Sequence, residues 1–142
     1  MNKNKILVVD DQKWIRVLLV EALSSSGFIP LEASNSSDAL KIACEERPNI
    51  ALIDLNMPES NGFSLLSMLK ETIPDVDVVF MSGSSDDKDM KKACKIGARG
   101  FFRKPFDIFR LVTFLNDITA TIDMDARGEN KWEVKCQRKH WI

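Results

Sequence analysis

Asn49-Ile50-Ala51-Leu52-Ile53-Asp54, followed at once by Leu55-Asn56-Met57-Pro58, is an apolar run of strand length that ends on a carboxylate. Ile, Ala and Leu without polar alternation fit a strand buried on both faces, the pattern of a parallel sheet covered by helices. Pro58 and Gly62 are expected to stop the strand and free the backbone for a loop. Ligands of open α/β sheets collect at the carboxyl ends of the strands, so Asp54 stands where chemistry would be placed. Taken alone, Asp54 reads equally well as the cap of a loop or of the next helix.

The same design occurs upstream, where Ile6-Leu7-Val8-Val9 ends on Asp10-Asp11. Helical spacing then runs from about Gln12 to Gly27, with Leu19, Ala22 and Leu23 as the inward stripe and Gly27 as the C′ residue. Trp14, Ile15, Val17, Leu18 and Val20 are more apolar surface than one stripe can bury, so Trp14 and Leu18 are expected on an exposed flank. Phe28 to Ala33 contains Pro30, which lacks a ladder donor, and is placed as a short edge strand. Asn35-Ser36-Ser37 offer N-caps for a helix to about Glu46, with Ala39, Leu40 and Ala43 inward and Pro48 as its stop.

Beyond Asp54, Leu65, Leu66 and Leu69 carry a helix from Phe63 to about Thr72, ended by Pro74. Val76 to Met81 is a strand opening onto Ser82-Gly83-Ser84-Ser85, which can cap a Lys- and Asp-rich helix over about Asp86 to Ile96. Gly97 and Gly100 flank the turn into the short strand Phe101-Phe102-Arg103, which meets Lys104-Pro105. The closing helix is predicted from Phe106 to about Ile122, with Ile108, Leu111, Val112 and Leu115 inward. Five strands alternating with five helices argue for a doubly wound parallel sheet with helices on both faces. Residues 1–122 form this domain, and 123–142 form a tail or linker with weak strand alternation over Lys131 to Lys135.

A chain of 142 residues suits one domain of ordinary size. With a formal net charge of −1 there is no overall basic field of the kind that attracts nucleic acid, and the basic residues around Arg138-Lys139-His140 read as a solvated end. Cys44, Cys94 and Cys136 are odd in number and lack metal or redox spacing, so they read as ordinary thiols in a reducing compartment. Neither a signal-peptide core nor a run of transmembrane length is present, and a cytoplasmic protein without membrane contact is expected.

Four strand ends carry a reactive or phosphate-compatible group: Asp10-Asp11, Asp54, Ser82 and Lys104. In a parallel sheet these ends share one rim. Carboxylates held together repel, and a cation relieves that repulsion. Mg²⁺ suits an all-oxygen site and keeps room for a phosphate oxygen, whereas zinc or copper would call for His, Cys or Met. A lysine and a hydroxyl opposite the acids can neutralise a transferred phosphoryl group, and one Asp can act as nucleophile and form an acyl phosphate.

These motifs resemble the receiver domain of the two-component response regulators, with the CheY-like (flavodoxin-like) fold and strand order 2-1-3-4-5. The residues that carry the likeness are Asp10-Asp11, Asp54 through Pro58 with Gly62, Ser82-Gly83, and Gly97-Ala98 through Lys104-Pro105-Phe106. The likeness spans about Lys5 to Ile122. It implies that Asp54 accepts a phosphoryl group from a phosphohistidine on a histidine kinase or histidine phosphotransferase. It further implies that Asp10, Asp11, Asp54 and the backbone carbonyl of Asn56 hold Mg²⁺, with Asp10 acting mainly through water. Lys104 would pair with the phosphoryl oxygens, and its peptide bond to Pro105 would be cis. Ser82 and Phe101 match the family's switch pair, in which the hydroxyl moves toward the phosphate and the ring rotates inward. Phe101 stands where tyrosine is frequent and offers no hydroxyl to a partner.

The Asp10-Asp11-Gln12 opening, the apolar first helix and Lys104-Pro105-Phe106-Asp107-Ile108 look most like stand-alone phosphorelay intermediates of the sporulation type. On that reading Trp14, Ile15, Leu18, Pro105 and Phe106 face a protein partner, and the downstream target is unknown. An alternative is a receiver excised from a longer regulator. A hydrolase of the haloacid-dehalogenase type is disfavoured, because that family places a second acid two residues after the nucleophile and Asn56 stands there.

Overall fold

The computed structural model describes residues 4–58, 61–83 and 87–125, with side chains through 119. Strands β1 (Lys5–Val9), β2 (Ile29–Ala33), β3 (Ile50–Asp54), β4 (Asp77–Ser82) and β5 (Gly100–Arg103) alternate with helices α1 (Lys13–Ser25), α2 (Ser36–Glu46), α3 (Gly62–Thr72), α4 (Asp87–Lys95) and α5 (Ile108–Asp125). All pairings are parallel, in the order β2-β1-β3-β4-β5. β3 is the central strand and is buried throughout, as its unbroken apolar run requires. Pro30 sits on the edge strand β2, where one face of the ladder needs no donor.

Strand alternation divides the interior into two cores. Leu7, Val9, Ala51, Ile53, Val78, Phe80 and Phe101 point to the side covered by α2, α3 and α4, where Ala39, Ala43, Leu65, Leu69, Met90 and Ala93 meet them. Ile6, Val8, Ile50, Leu52, Val79, Met81 and Phe102 point to the opposite side, against Ile15, Leu19 and Leu23 of α1 and Leu111, Phe114, Leu115 and Ile118 of α5. Side chains of successive strand residues must leave by opposite faces, so both faces have to be covered.

Several boundaries differ from expectation. The inward stripe of α1 is Ile15, Leu19 and Leu23, an i, i+4, i+8 row, with Ala22 only half-buried. Gly27 does take the left-handed conformation after the helix, at φ 93°. Gly62 is the first residue of α3 rather than part of the preceding loop. Its lack of a side chain is required there, because a Cβ would come within 2.7 Å of Leu55 Cδ2. Asn35 caps α2, its side chain accepting from the Asp38 amide at 2.8 Å. α5 extends three residues past the expected end. Residues 126–142, with the anticipated strand-like stretch, the basic end and Cys136, lie outside the described residues, as do Ser84, Ser85 and Asp86. Cys44 is a free, exposed thiol, whereas Cys94 is disulfide-bonded, which corrects the reading of three unpaired cysteines. Among the described residues no helix is long and apolar enough to cross a membrane.

Candidate functional site

Because β1, β3, β4 and β5 run parallel, their carboxyl ends deliver Asp10, Asp54, Ser82 and Lys104 to one rim. Asp10 and Asp54 are buried, Ser82 is fully buried, and Asp11 is exposed. Oxygen atoms of Asp10, Asp11 and Asp54 lie within 4.8 Å of one another, close enough to share one cation. Lys104 Nζ stands 3.1 Å from Asp10 Oδ2 and 3.3 Å from Asp54 Oδ2. One lysine thus bridges the two buried acids from a third strand end. Its own amide donates to the Ser82 carbonyl at 2.6 Å, and the Lys104–Pro105 bond is cis, as the resemblance implied.

Both acids also shape their loops. Asp10 Oδ1 accepts from the Gln12 amide and Asp54 Oδ1 from the Asn56 amide, each at 2.9 Å. These two-residue turns redirect the chain out of the sheet while keeping the carboxylates at the rim. The carboxyl of Asp10 is pushed above its usual range, chiefly by burial and further by the charge of Asp54. The Gln12 amide and Lys104 oppose that shift without cancelling it. A buried acid that resists ionisation beside a second acid is a group that a divalent cation would relieve. The donor set is oxygen only, which fits Mg²⁺ and not a softer metal.

Two features extend the sequence reading of the site. Phe101 is fully buried, packed in the core that holds Phe80, Met90 and Ala93. Asn56, expected to act through its carbonyl, also uses its side chain: Oδ1 accepts from the Gly83 amide at 2.6 Å and ties the β3–α3 loop to the loop after β4. Nothing in residue spacing could have shown that link, because the two residues are 27 apart in sequence and on different loops.

Beside the acids lies an apolar groove of about 400 Å³ between α1 and the β5–α5 loop. Trp14, Ile15, Leu18, Pro105 and Phe106 all line it, together with Lys104 itself. Trp14 and Leu18 are 65% and 47% exposed, as their surplus to the inward stripe required. Ile15 is different: at 8% exposure it belongs to the core and forms the floor of the groove rather than its rim. Phe109, 77% exposed at the start of α5, is an apolar surface residue that helical periodicity did not single out.

A parallel sheet of this order with three acids and a lysine on its carboxyl rim is the arrangement that the resemblance to a signalling receiver implied. The family model described as the response regulator receiver domain matches residues 6–116, and the chain belongs to that family. It is 35% identical over 108 residues to sporulation initiation phosphotransferase F of Bacillus subtilis (strain 168), a match covering 76% of this chain and 87% of that relative. Chemotaxis protein CheY of Thermotoga maritima is 29% identical over 116 residues, covering 81% of this chain and 97% of CheY. A 36% identity over 108 residues to the DNA-binding transcriptional regulator NtrC of Proteus hauseri covers 76% of this chain but only 23% of NtrC. Among solved structures, a response regulator receiver domain protein from Clostridium thermocellum superposes with a TM-score of 0.79 at 28% identity, over 85% of this chain and 98% of that one. The chain is a phosphoaccepting signalling domain.

Proposed function

We propose that Asp54 is the phosphoacceptor and that a phosphohistidine on a histidine kinase or histidine phosphotransferase is the donor. A carboxylate oxygen of Asp54 attacks phosphorus, the P–N bond breaks, its electron pair stays on the leaving imidazole nitrogen, and an acyl phosphate remains. The observation that carries this reading is the position of Lys104 Nζ, 3.3 Å from Asp54 and 3.1 Å from Asp10, where it can follow the charge of an incoming phosphoryl group. Ser82, at the adjacent strand end, supplies a hydroxyl for the same oxygens. Asp10, Asp11 and the Asn56 carbonyl, with Asp54, would hold Mg²⁺, and the ion when bound neutralises phosphoryl charge. Protein-derived groups do the rest: the Asn56 amide orients Asp54, and the Gln12 amide orients Asp10.

The groove beside Lys104 is the surface on which the donor docks. Its exposed Trp14 and Leu18, with Pro105 and half-buried Phe106, suit the apolar face of a partner helix that brings its phosphohistidine to the rim. Similarity to sporulation initiation phosphotransferase F supports a relay role. Incubation with Mg²⁺ and acetyl phosphate, followed by intact mass, should show one added phosphoryl group that EDTA prevents. No mass gain under conditions where the protein binds Mg²⁺ would refute the acceptor assignment.

A further inference from the structure

We infer that Arg16 is a positioning residue for the acidic loop, setting the direction of Asp11 by holding the carbonyl that precedes it. Its guanidinium Nη1 donates to the Asp10 carbonyl at 2.7 Å, and Nε donates to Glu32 Oε1 at 3.2 Å. The side chain is only 15% exposed, so the fork is seated between α1 and the edge strand rather than waving in solvent. Arg can do this because its planar donors engage two acceptors at fixed relative angles.

The consequence lies in the next peptide. Asp11 is exposed, and among the described residues no hydrogen bond holds its carboxylate. Its aim depends on the backbone that carries it. The Asp10 amide is tied to the Ala33 carbonyl at 3.1 Å and its side chain to the Gln12 amide, so the Asp10 carbonyl is the remaining free joint of the turn. Arg16 closes that joint and thereby fixes the peptide plane between Asp10 and Asp11. Glu32, on β2, in turn keeps the guanidinium from rotating toward the acids. The arrangement is that of an outer support to a metal ligand, which holds a ligand without touching the ion.

The inference rests on the Mg²⁺ reading above, and its test turns on sign. A cation near an acidic site weakens Mg²⁺ binding through space, so removing Arg16 as a mere charge should tighten binding. Removing it as a support should weaken binding instead, by about tenfold in Kd. Mg²⁺ is titrated into the wild type, Arg16→Ala and Arg16→Lys, with the amide shifts of Asp11 and Gln12 as readout and thermal unfolding alongside. Arg16→Ala is expected to bind about tenfold more weakly, and Arg16→Lys, which keeps one donor for the carbonyl, to recover most of that loss. Unchanged or tighter binding in Arg16→Ala overturns the inference. Should the alanine variant fail to fold, Arg16→Met, which keeps the aliphatic stem and loses every donor, takes its place: weaker binding there supports the inference, and wild-type or tighter binding overturns it. A wild type that binds no Mg²⁺ defeats the metal reading itself and the inference with it, an outcome distinct from binding that ignores Arg16.

Discussion

The loops after β1 and β3 begin alike and are tied to different things. Each opens on a buried acid that accepts the amide two residues on at 2.9 Å, and each acid faces Lys104 Nζ, at 3.1 and 3.3 Å. The β1 loop is then anchored backward, by the Asp10 amide to Ala33 and the Asp10 carbonyl to Arg16. The β3 loop is anchored forward, by the Leu55 amide to the Met81 carbonyl at 2.8 Å and the Asn56 side chain to the Gly83 amide at 2.6 Å. One acid is thus fastened toward the β2 edge of the sheet and the other to the strand that ends on Ser82. That asymmetry suits a division of labour in which Asp10 holds an ion and Asp54 receives a group whose arrival is felt along β4.

Exchanging the acids is the most severe test of the division. Asp54→Asn keeps the turn and removes the nucleophile, so phosphoryl gain from Mg²⁺ and acetyl phosphate should vanish from the intact mass. Asp10→Asn should slow the gain and leave the acceptor in place. A phosphoryl group persisting at wild-type yield in Asp54→Asn would erase the distinction between the two loops.

On the forward side, Phe101 beneath β4 and β5 gives the next largest effect. With its ring fully buried, Phe101→Ala should lose about 3–5 kcal/mol in denaturant unfolding. A loss within about 0.5 kcal/mol, the usual result at an exposed site, would mean that the ring spends its time outside, and the forward loop would then have a pocket to offer.

Smaller, and opposite in sign, is the stability effect of Asp10→Asn. Burial and the charge of Asp54 raise the Asp10 pKa in the fold, so over the window from its ordinary value upward the folded state binds more protons than the unfolded one. Stability contributed by this group therefore falls as pH rises through that window and stays lower above it. In EDTA at neutral pH the Asn variant should melt a few degrees higher than the wild type, with the difference closing in acid. A lower Tm at neutral pH would show that the Lys104 pair outweighs burial.

Much of this was legible because buried parallel strands write themselves as unbroken apolar runs: Ile6 to Val9 and Ile50 to Ile53 located β1 and β3, and the acids that end them located the rim. The groove was legible for a related reason, since α1 carries more apolar residues than its stripe can bury and Trp14 and Leu18 had to go outward. Ile15 has a periodicity that fits either the stripe or the flank, and packing against the sheet makes it the floor of that groove. Gly62 looked like a breaker, and the close approach of Leu55 that demands it is a tertiary fact. Arg16 and the Asn56 side chain were not legible at all, since each acts on a backbone atom of another element and backbone atoms leave no trace in residue type.

The smallest effect concerns the forward tie itself. A hydrogen bond of this kind contributes roughly 0.5–1.5 kcal/mol, so Asn56→Ala should barely move global unfolding. Its signature is local: the Gly83 amide should exchange with solvent faster by up to about tenfold, since 1.4 kcal/mol corresponds to that factor. The Gln12 amide, which donates to Asp10 in the backward loop, should keep its protection. Asn56→Asp separates the bond from the residue, because a carboxylate oxygen can still accept from Gly83 while adding a fourth acid near Asp10, Asp11 and Asp54. Gly83 protection should therefore survive in Asn56→Asp and fall in Asn56→Ala. Equal loss in Gly83 and Gln12 would show that the two loops loosen together and that the rim has no separate holding and forwarding sides.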